Sequence, residues 1–91
     1  MSTYTETEEI VLTEDVLVDE QKIVLFNDDV NTFDFVIESL VDVCGHDFIQ
    51  AEQCTILVHY KGKCEVKKGD FSVLEPMCTA LLDRGLSAEI Q

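Results

Sequence analysis

The sequence predicts an α+β fold, a three-stranded antiparallel sheet with three helices packed on one face. Three observations carry that expectation. Hydrophobic periodicity switches between two and 3.6 residues in the order strand, helix, helix, strand, helix, strand. Glycines stand where the helical stripes end, at Gly45, Gly62 and Gly85, the position at which a left-handed residue stops a helix. No two strand segments are joined directly by a tight turn, so the sheet has to be assembled across its helices.

Residues 1–20 hold seven carboxylates (Glu6, Glu8, Glu9, Glu14, Asp15, Asp19 and Glu20) and no Lys or Arg. Self-repulsion and scarce aromatics give this stretch little reason to fold alone. It is expected to be a flexible acidic N-terminal arm, with the core domain at residues 21–91. The apolar patches Ile10-Val11-Leu12 and Val16-Leu17-Val18 leave two readings open, a solvating tail or an arm that engages a partner.

Gln21 to Phe26, rich in β-branched and large apolar residues, reads as the first strand, ended by Asn27-Asp28-Asp29, whose side chains favour turns. A helix follows, because Phe33, Val36, Ile37, Leu40, Val41 and Cys44 fall on one stripe while Asp34, Glu38, Ser39 and Asp42 take the wet face. Asn31 is the expected cap, with Asp34 three residues on. A second helix starts at Asp47, with Gln50 at the capping-box position, and ends before Gly62; Ala51, Cys54, Thr55 and Val58 share its stripe. His59 sits in its last turn beside that stripe, where the helix dipole favours a cation, as it does for Lys61 and Lys63.

Lys63 to Lys68 alternates as a short strand with Cys64 and Val66 on one side, and Lys67-Lys68-Gly69-Asp70 makes a turn. Ser72 is the expected cap of a third helix, with Glu75 at its third position and Pro76 in the first turn, where a missing amide costs little. Leu74, Met77, Cys78, Leu81 and Leu82 give its stripe, and Leu86 to Ile90 closes the sheet with period two.

Composition narrows the function classes. Nineteen acidic side chains against six basic ones give a formal net charge of -13, a field that repels phosphate backbones and anionic lipid. Nucleic acid and membrane partners are therefore not expected. No apolar run reaches membrane-span length and the first residues lack a secretory pattern, so a cytoplasmic monomer is expected. Cys44, Cys54, Cys64 and Cys78 form no C-x-x-C pair, which points to buried free thiols rather than a zinc or redox site. A foldable part this small leaves little room for a catalytic cavity. No enzyme activity, cofactor or metal is expected.

The candidate site is the end of the first strand. Asn27, Asp28 and Asp29 cluster acceptors directly after four apolar residues, a corner suited to a ligand that is cationic beside an apolar side chain. Phe33, in the first turn of the next helix, leans back over that loop because helical side chains point N-terminally. Plainer readings stand beside this one: His59 as a helix-end surface residue, and Val36, Val58 and Leu86 as ordinary core.

Asn27-Asp28-Asp29 with Val36 seven residues beyond Asp29, and Val58-His59-Tyr60-Lys61-Gly62-Lys63, resemble the two signatures of the ClpS adaptor family, N-D-D-x-x-x-x-x-F-V and V-H-Y-x-G-K. The resemblance is close from Ile23 to Gly62 and looser to Ile90. It implies an adaptor, not an enzyme, that binds proteins with a free, large hydrophobic N-terminal residue (Leu, Phe, Tyr or Trp) and delivers them to a Clp-type AAA+ unfoldase. By the same resemblance Asn27, Asp28, Asp29 and His59 hold the α-ammonium group, and Leu25, Phe26, Asn31, Phe33, Val36, Thr55, Val58 and Leu86 wall a pocket for the side chain. Tyr60, Lys61 and Glu75 are the implied docking residues for the unfoldase N-terminal domain, and residues 1–20 are the extension that influences substrate transfer.

An ammonium receptor needs several acceptors and nearby negative charge, and His59 accepts only on an unprotonated nitrogen. Affinity is accordingly expected to fall as pH drops through about 6.5, the reference histidine value. The sequence departs from the family pattern at Phe33 and Thr55, where methionines are usual, and in a shorter region from Cys64 onward. A shifted ranking among Leu, Phe, Tyr and Trp is expected. Two other classes compete: an acidic interaction module like a ribosomal-stalk domain, which gives no reason to cluster Asn27, Asp28, Asp29 and His59, and a small metal-dependent hydrolase built on Asp28, Asp29, His46 and His59.

Overall fold

The computed structural model describes residues 20–91; the acidic arm, apart from Glu20, lies outside the described residues. The elements run β1 (Gln21–Phe26), α1 (Phe33–Cys44), α2 (Phe48–Lys61), β2 (Lys63–Gly69), α3 (Phe71–Asp83) and β3 (Ser87–Ile90). This is the expected order. β1 is the central strand of a sheet ordered β2-β1-β3, antiparallel on both sides. Ile23, Val24 and Leu25 of that strand are all buried.

Ile23 faces Ile90 on one side and Lys67 on the other, and Leu25 faces Ala88 and Cys64. The pairing with β2 slips between Ile23 and Val24, which face Lys67 and Glu65, leaving Val66 as the extra residue. Such a bulge lets one strand re-aim a side chain, and Val66 is buried in the core. Ile23, Leu25, Leu40, Leu74 and Leu81 form the centre of that core, each at most 1% exposed. α1 lies against both α2 and α3, while α2 also packs on β2 and α3 on β3.

The helix starts differ from expectation in two places. Thr32, not Asn31, caps α1: it is extended (φ -76°, ψ 159°) and its Oγ1 accepts from the Phe35 N–H at 3.1 Å. Asn31 is unavailable because its amide is drawn into the preceding loop. α3 begins before Ser72, at Phe71, with Asp70 in the cap position making no side-chain capping bond. The Asp70 carbonyl accepts from the Val73 and Leu74 N–H groups instead. Pro76 thus falls in the second turn, where it removes the donor for the Ser72 carbonyl; Ser72 is exposed, so water can reach that oxygen. The turn expected over Lys67 to Asp70 shrinks to Asp70 alone, because pairing with Gln21 and Lys22 keeps Lys68 and Gly69 in β2.

α2 starts as expected, with Asp47 Oδ1 accepting from the Gln50 N–H at 2.8 Å. All four cysteines are free thiols. His46 is buried between α1 and α2, with Nε2 2.7 Å from the Val66 carbonyl and Nδ1 without a partner.

Candidate functional site

The loop after β1 is fixed at three points. The Asn27 N–H donates to the Gly62 carbonyl at 3.0 Å, tying the loop's first residue to the end of α2. Gly62 adopts a left-handed φ of 91°, which turns the chain out of α2 and into β2. Inside the loop, Asp28 Oδ1 accepts from the Val30 and Asn31 N–H groups, both at 2.9 Å, and Oδ2 accepts from Asn31 Nδ2 at 3.0 Å. The same Asn31 Nδ2 donates to the Gly85 carbonyl at 2.9 Å, so the loop is also tied to the turn between α3 and β3. That turn is itself held by Gly85 N–H to Leu82 and Leu86 N–H to Leu81, and it presents Leu86.

These tethers close a cleft of about 280 Å3. Asn27, Asp28, Asp29 and His59 all line it, as do Leu25, Phe26, Asn31, Phe33, Val36, Thr55, Val58 and Leu86. Burial divides them into a floor and a mouth. Leu25, Val36, Thr55, Val58 and Leu86 are buried, while Asn27, Asp29, Phe33 and His59 are exposed. The His59 ring meets Phe33 edge to face at 5.3 Å and Tyr60 edge to face at 4.9 Å, contacts with their own modest attraction.

Thr55 keeps the floor apolar despite its hydroxyl. Its Oγ1 donates to the Ala51 carbonyl at 2.8 Å within α2, which leaves the methyl group for the cleft. At the mouth, neither the Asn27 side chain nor the Asp29 carboxylate has a hydrogen-bond or ion-pair partner among the described residues. Burial alone would raise the Asp28 pKa, but hydrogen bonds from Asn31 and Val30 outweigh it and hold the carboxyl below its ordinary value. Among the described residues no Lys or Arg lines the cleft. Its chemistry is therefore negative and acceptor-rich at the opening and greasy below, suited to a cation carried on an apolar side chain.

The implied docking residues lie on two helices. Tyr60, 77% exposed, and Lys61 end α2, whereas Glu75 is exposed on α3, whose main neighbours are α1 and the sheet. His46 does not line the cleft, so the four-residue metal constellation is not assembled. Among the described residues no group of three or more His, Cys, Asp or Glu side chains is placed to hold a metal. Sequence reasoning missed the carbonyls of Gly62 and Gly85 as anchors. Both glycines were legible only as helix stops, and nothing in the sequence says which amide a stop's carbonyl will meet.

Residues 18–89 match the family model described as "ATP-dependent Clp protease adaptor protein ClpS". Over 41 residues the chain is 42% identical to the ATP-dependent Clp protease adapter protein ClpS of Campylobacter jejuni subsp. jejuni. The protein of the same name from Campylobacter jejuni subsp. doylei gives the same figures. The aligned segment covers 45% of this chain and 43% of each relative, so the match spans less than half the length of those proteins. The structure of Agrobacterium tumefaciens ClpS2 bound to L-phenylalaninamide shares the fold, with a TM-score of 0.73 over 80% of this chain and 98% of that one, at 20% identity.

Proposed function

This chain belongs to the ClpS family of Clp protease adaptor proteins, and on that premise we propose that its cleft receives the free N-terminal residue of a protein destined for a Clp-type AAA+ unfoldase. The preferred residue is large and hydrophobic: Leu, Phe, Tyr or Trp. The observation that carries the reading is one juxtaposition, in which Asn27 and Asp29 side chains without a partner among the described residues and the exposed His59 border a floor of buried, mostly apolar residues.

In this reading the α-ammonium group donates to Asn27, Asp29 and an unprotonated His59 nitrogen, while Asp28 contributes its charge and the shape of the loop. The side chain descends between Phe33 and Thr55 onto Val36, Val58 and Leu86. ClpS2 was solved with L-phenylalaninamide, a free amine beside a benzyl group, in the same fold. Burying a Phe side chain removes about 150–250 Å2 from water, worth on the order of 4–6 kcal/mol. Charge-assisted contacts add roughly 1.5–3 kcal/mol each, against an association cost of at least about 4. Affinity near micromolar follows, and neither half of the ligand suffices alone.

Phe33 narrows the mouth and Thr55 leaves room at the floor, so the ranking among the four residues shifts from that of members with methionine at both positions. Delivery then uses Tyr60 and Lys61 at the exposed end of α2 and Glu75 on α3, with residues 1–20 assisting transfer. Titrating labelled peptides that begin with Phe and with Ser, otherwise identical, tests the reading. The first saturates near micromolar and the second does not bind; equal binding of the two overturns it.

A further inference from the structure

A second depression, of about 270 Å3, lies between α1 and the first turn of α2 and shares no lining residue with the cleft. Ile37 and Val41 form its floor, Phe48 one wall, and Asp34, Glu38 and Asp42 the other. Phe48 is 60% exposed and its neighbour Ile49 is 65% exposed. The α2 start does not require them, since Asp47 already caps it. A large ring left half in water beside an apolar trough is the usual mark of an interaction surface.

Charge selects the occupant. Arg84 Nη2 lies 3.3 Å from Asp42 Oδ2 and neutralises it, whereas Asp34 and Glu38 have no cationic partner among the described residues. Those two stand one helical turn apart, about 6 Å along α1. The chain's own residues 1–20, with seven carboxylates and no Lys or Arg, and a second copy at -13, are both repelled from such a wall.

We infer that this trough docks a cationic amphipathic helix of a protein partner. An apolar anchor of that helix lies against Phe48, and Lys or Arg side chains one turn apart meet Asp34 and Glu38. The geometry is that of a helix laid in a groove, read at a spacing of three to four residues. The inference is independent of what the cleft binds.

Fluorescence anisotropy with an N-acetylated, C-amidated peptide of Leu, Ala and Lys in amphipathic order tests it, since that peptide has no free α-amine to offer the cleft. Binding is expected to be specific to the ordered peptide and unchanged by saturating unlabelled Phe-led peptide. Phe48→Ala and Glu38→Gln each weaken it about five- to tenfold, while Asp83→Asn, an exposed carboxylate on α3 that does not line the trough, changes it less than about twofold. Four results each overturn the proposal: no binding, equal binding of a scrambled peptide, equal loss in Asp83→Asn, or displacement by the Phe-led peptide. Self-association that Phe48→Ala abolishes gives the trough to a second copy, which also overturns it.

Discussion

The Asp28 carboxylate is occupied by its own loop, accepting from two backbone N–H groups and the Asn31 amide. Asp28→Ala therefore acts on structure as well as binding, lowering stability by about 1–2 kcal/mol through the loss of these bonds, measurable by urea unfolding. Asp29, with no such partners among the described residues, is the cleaner probe of charge: Asp29→Asn should weaken a Phe-led peptide about tenfold with thermal stability unchanged. The two carboxylates also separate in pH. The Asp28 pKa lies below its ordinary 3.8, so its contribution is fully present above that value and lost only as pH falls through the depressed folded-state value. Between pH about 7.5 and 5.5 the Asp28 contribution is therefore constant. A fall in affinity over that window, absent from His59→Ala, is the expected result; a flat wild-type profile removes His59 from the ammonium site. The thiols make a further residue-scale test. Burial pushes Cys44 up to about 11, with Lys67 pulling the other way. Burial, a shared hydrogen bond with Cys54 and nearby negative charge push Cys64 to about 12. Both should resist iodoacetamide at pH about 8 in the folded protein and react quickly once it is unfolded; equal rates would contradict the burial of Cys44 and the partial burial of Cys64.

At the scale of elements, the cleft exists because two separate chain segments, the end of α2 and the turn after α3, are pinned to one loop. Asn31→Ala removes both the link to Asp28 and the link to Gly85, so the turn carrying Leu86 loosens. Peptide affinity should fall about threefold to tenfold, and hydrogen exchange at Leu86 should quicken while exchange in α1 stays slow. Gly62→Ala meets no atom within 4 Å, yet it forces a side chain onto a φ of 91°, costing about 1 kcal/mol and loosening the Asn27 anchor. The helices were legible because their stripes are long and periodic. Their exact starts were not, since Asn31 and Thr32 are both good caps and the choice between them depends on Asp28 and on Gly85, 54 residues away. Ser72 misled for the same reason: a strong local capping pattern lost to β2, whose pairing with β1 carries the strand through Gly69 and lets the helix open at once.

For the whole molecule, the site residues could be assembled from sequence because two motifs, each weak alone, sit at the end of β1 and the end of α2, elements that the sheet brings side by side. The docking set rests on the resemblance alone: Tyr60 and Lys61 share a helix end and Glu75 stands on α3, and sequence spacing carries no information about which exposed residues share a face. The net charge of -13 acts at this scale too. It draws cationic ligands toward the protein by long-range steering, so the association rate of a Phe-led peptide bearing Lys should fall as salt rises from about 0.05 to 0.5 M, as the Debye length shrinks. Deleting residues 1–19 should spare peptide binding and slow substrate degradation by the cognate protease. Loss of peptide binding in that truncation would place the segment in the receptor itself.

All of this turns on one corner of the molecule reading an amine and a side chain together. The direct measurement is the dissociation constant of a single Phe-led peptide with its α-amine free and with that amine acetylated, in one buffer at pH about 7.5. The free amine should bind near micromolar, and acetylation, which removes the charge and two donors, should weaken binding at least about a hundredfold. Equal affinity of the two forms would contradict the assignment of Asn27, Asp29 and His59 as an ammonium receptor.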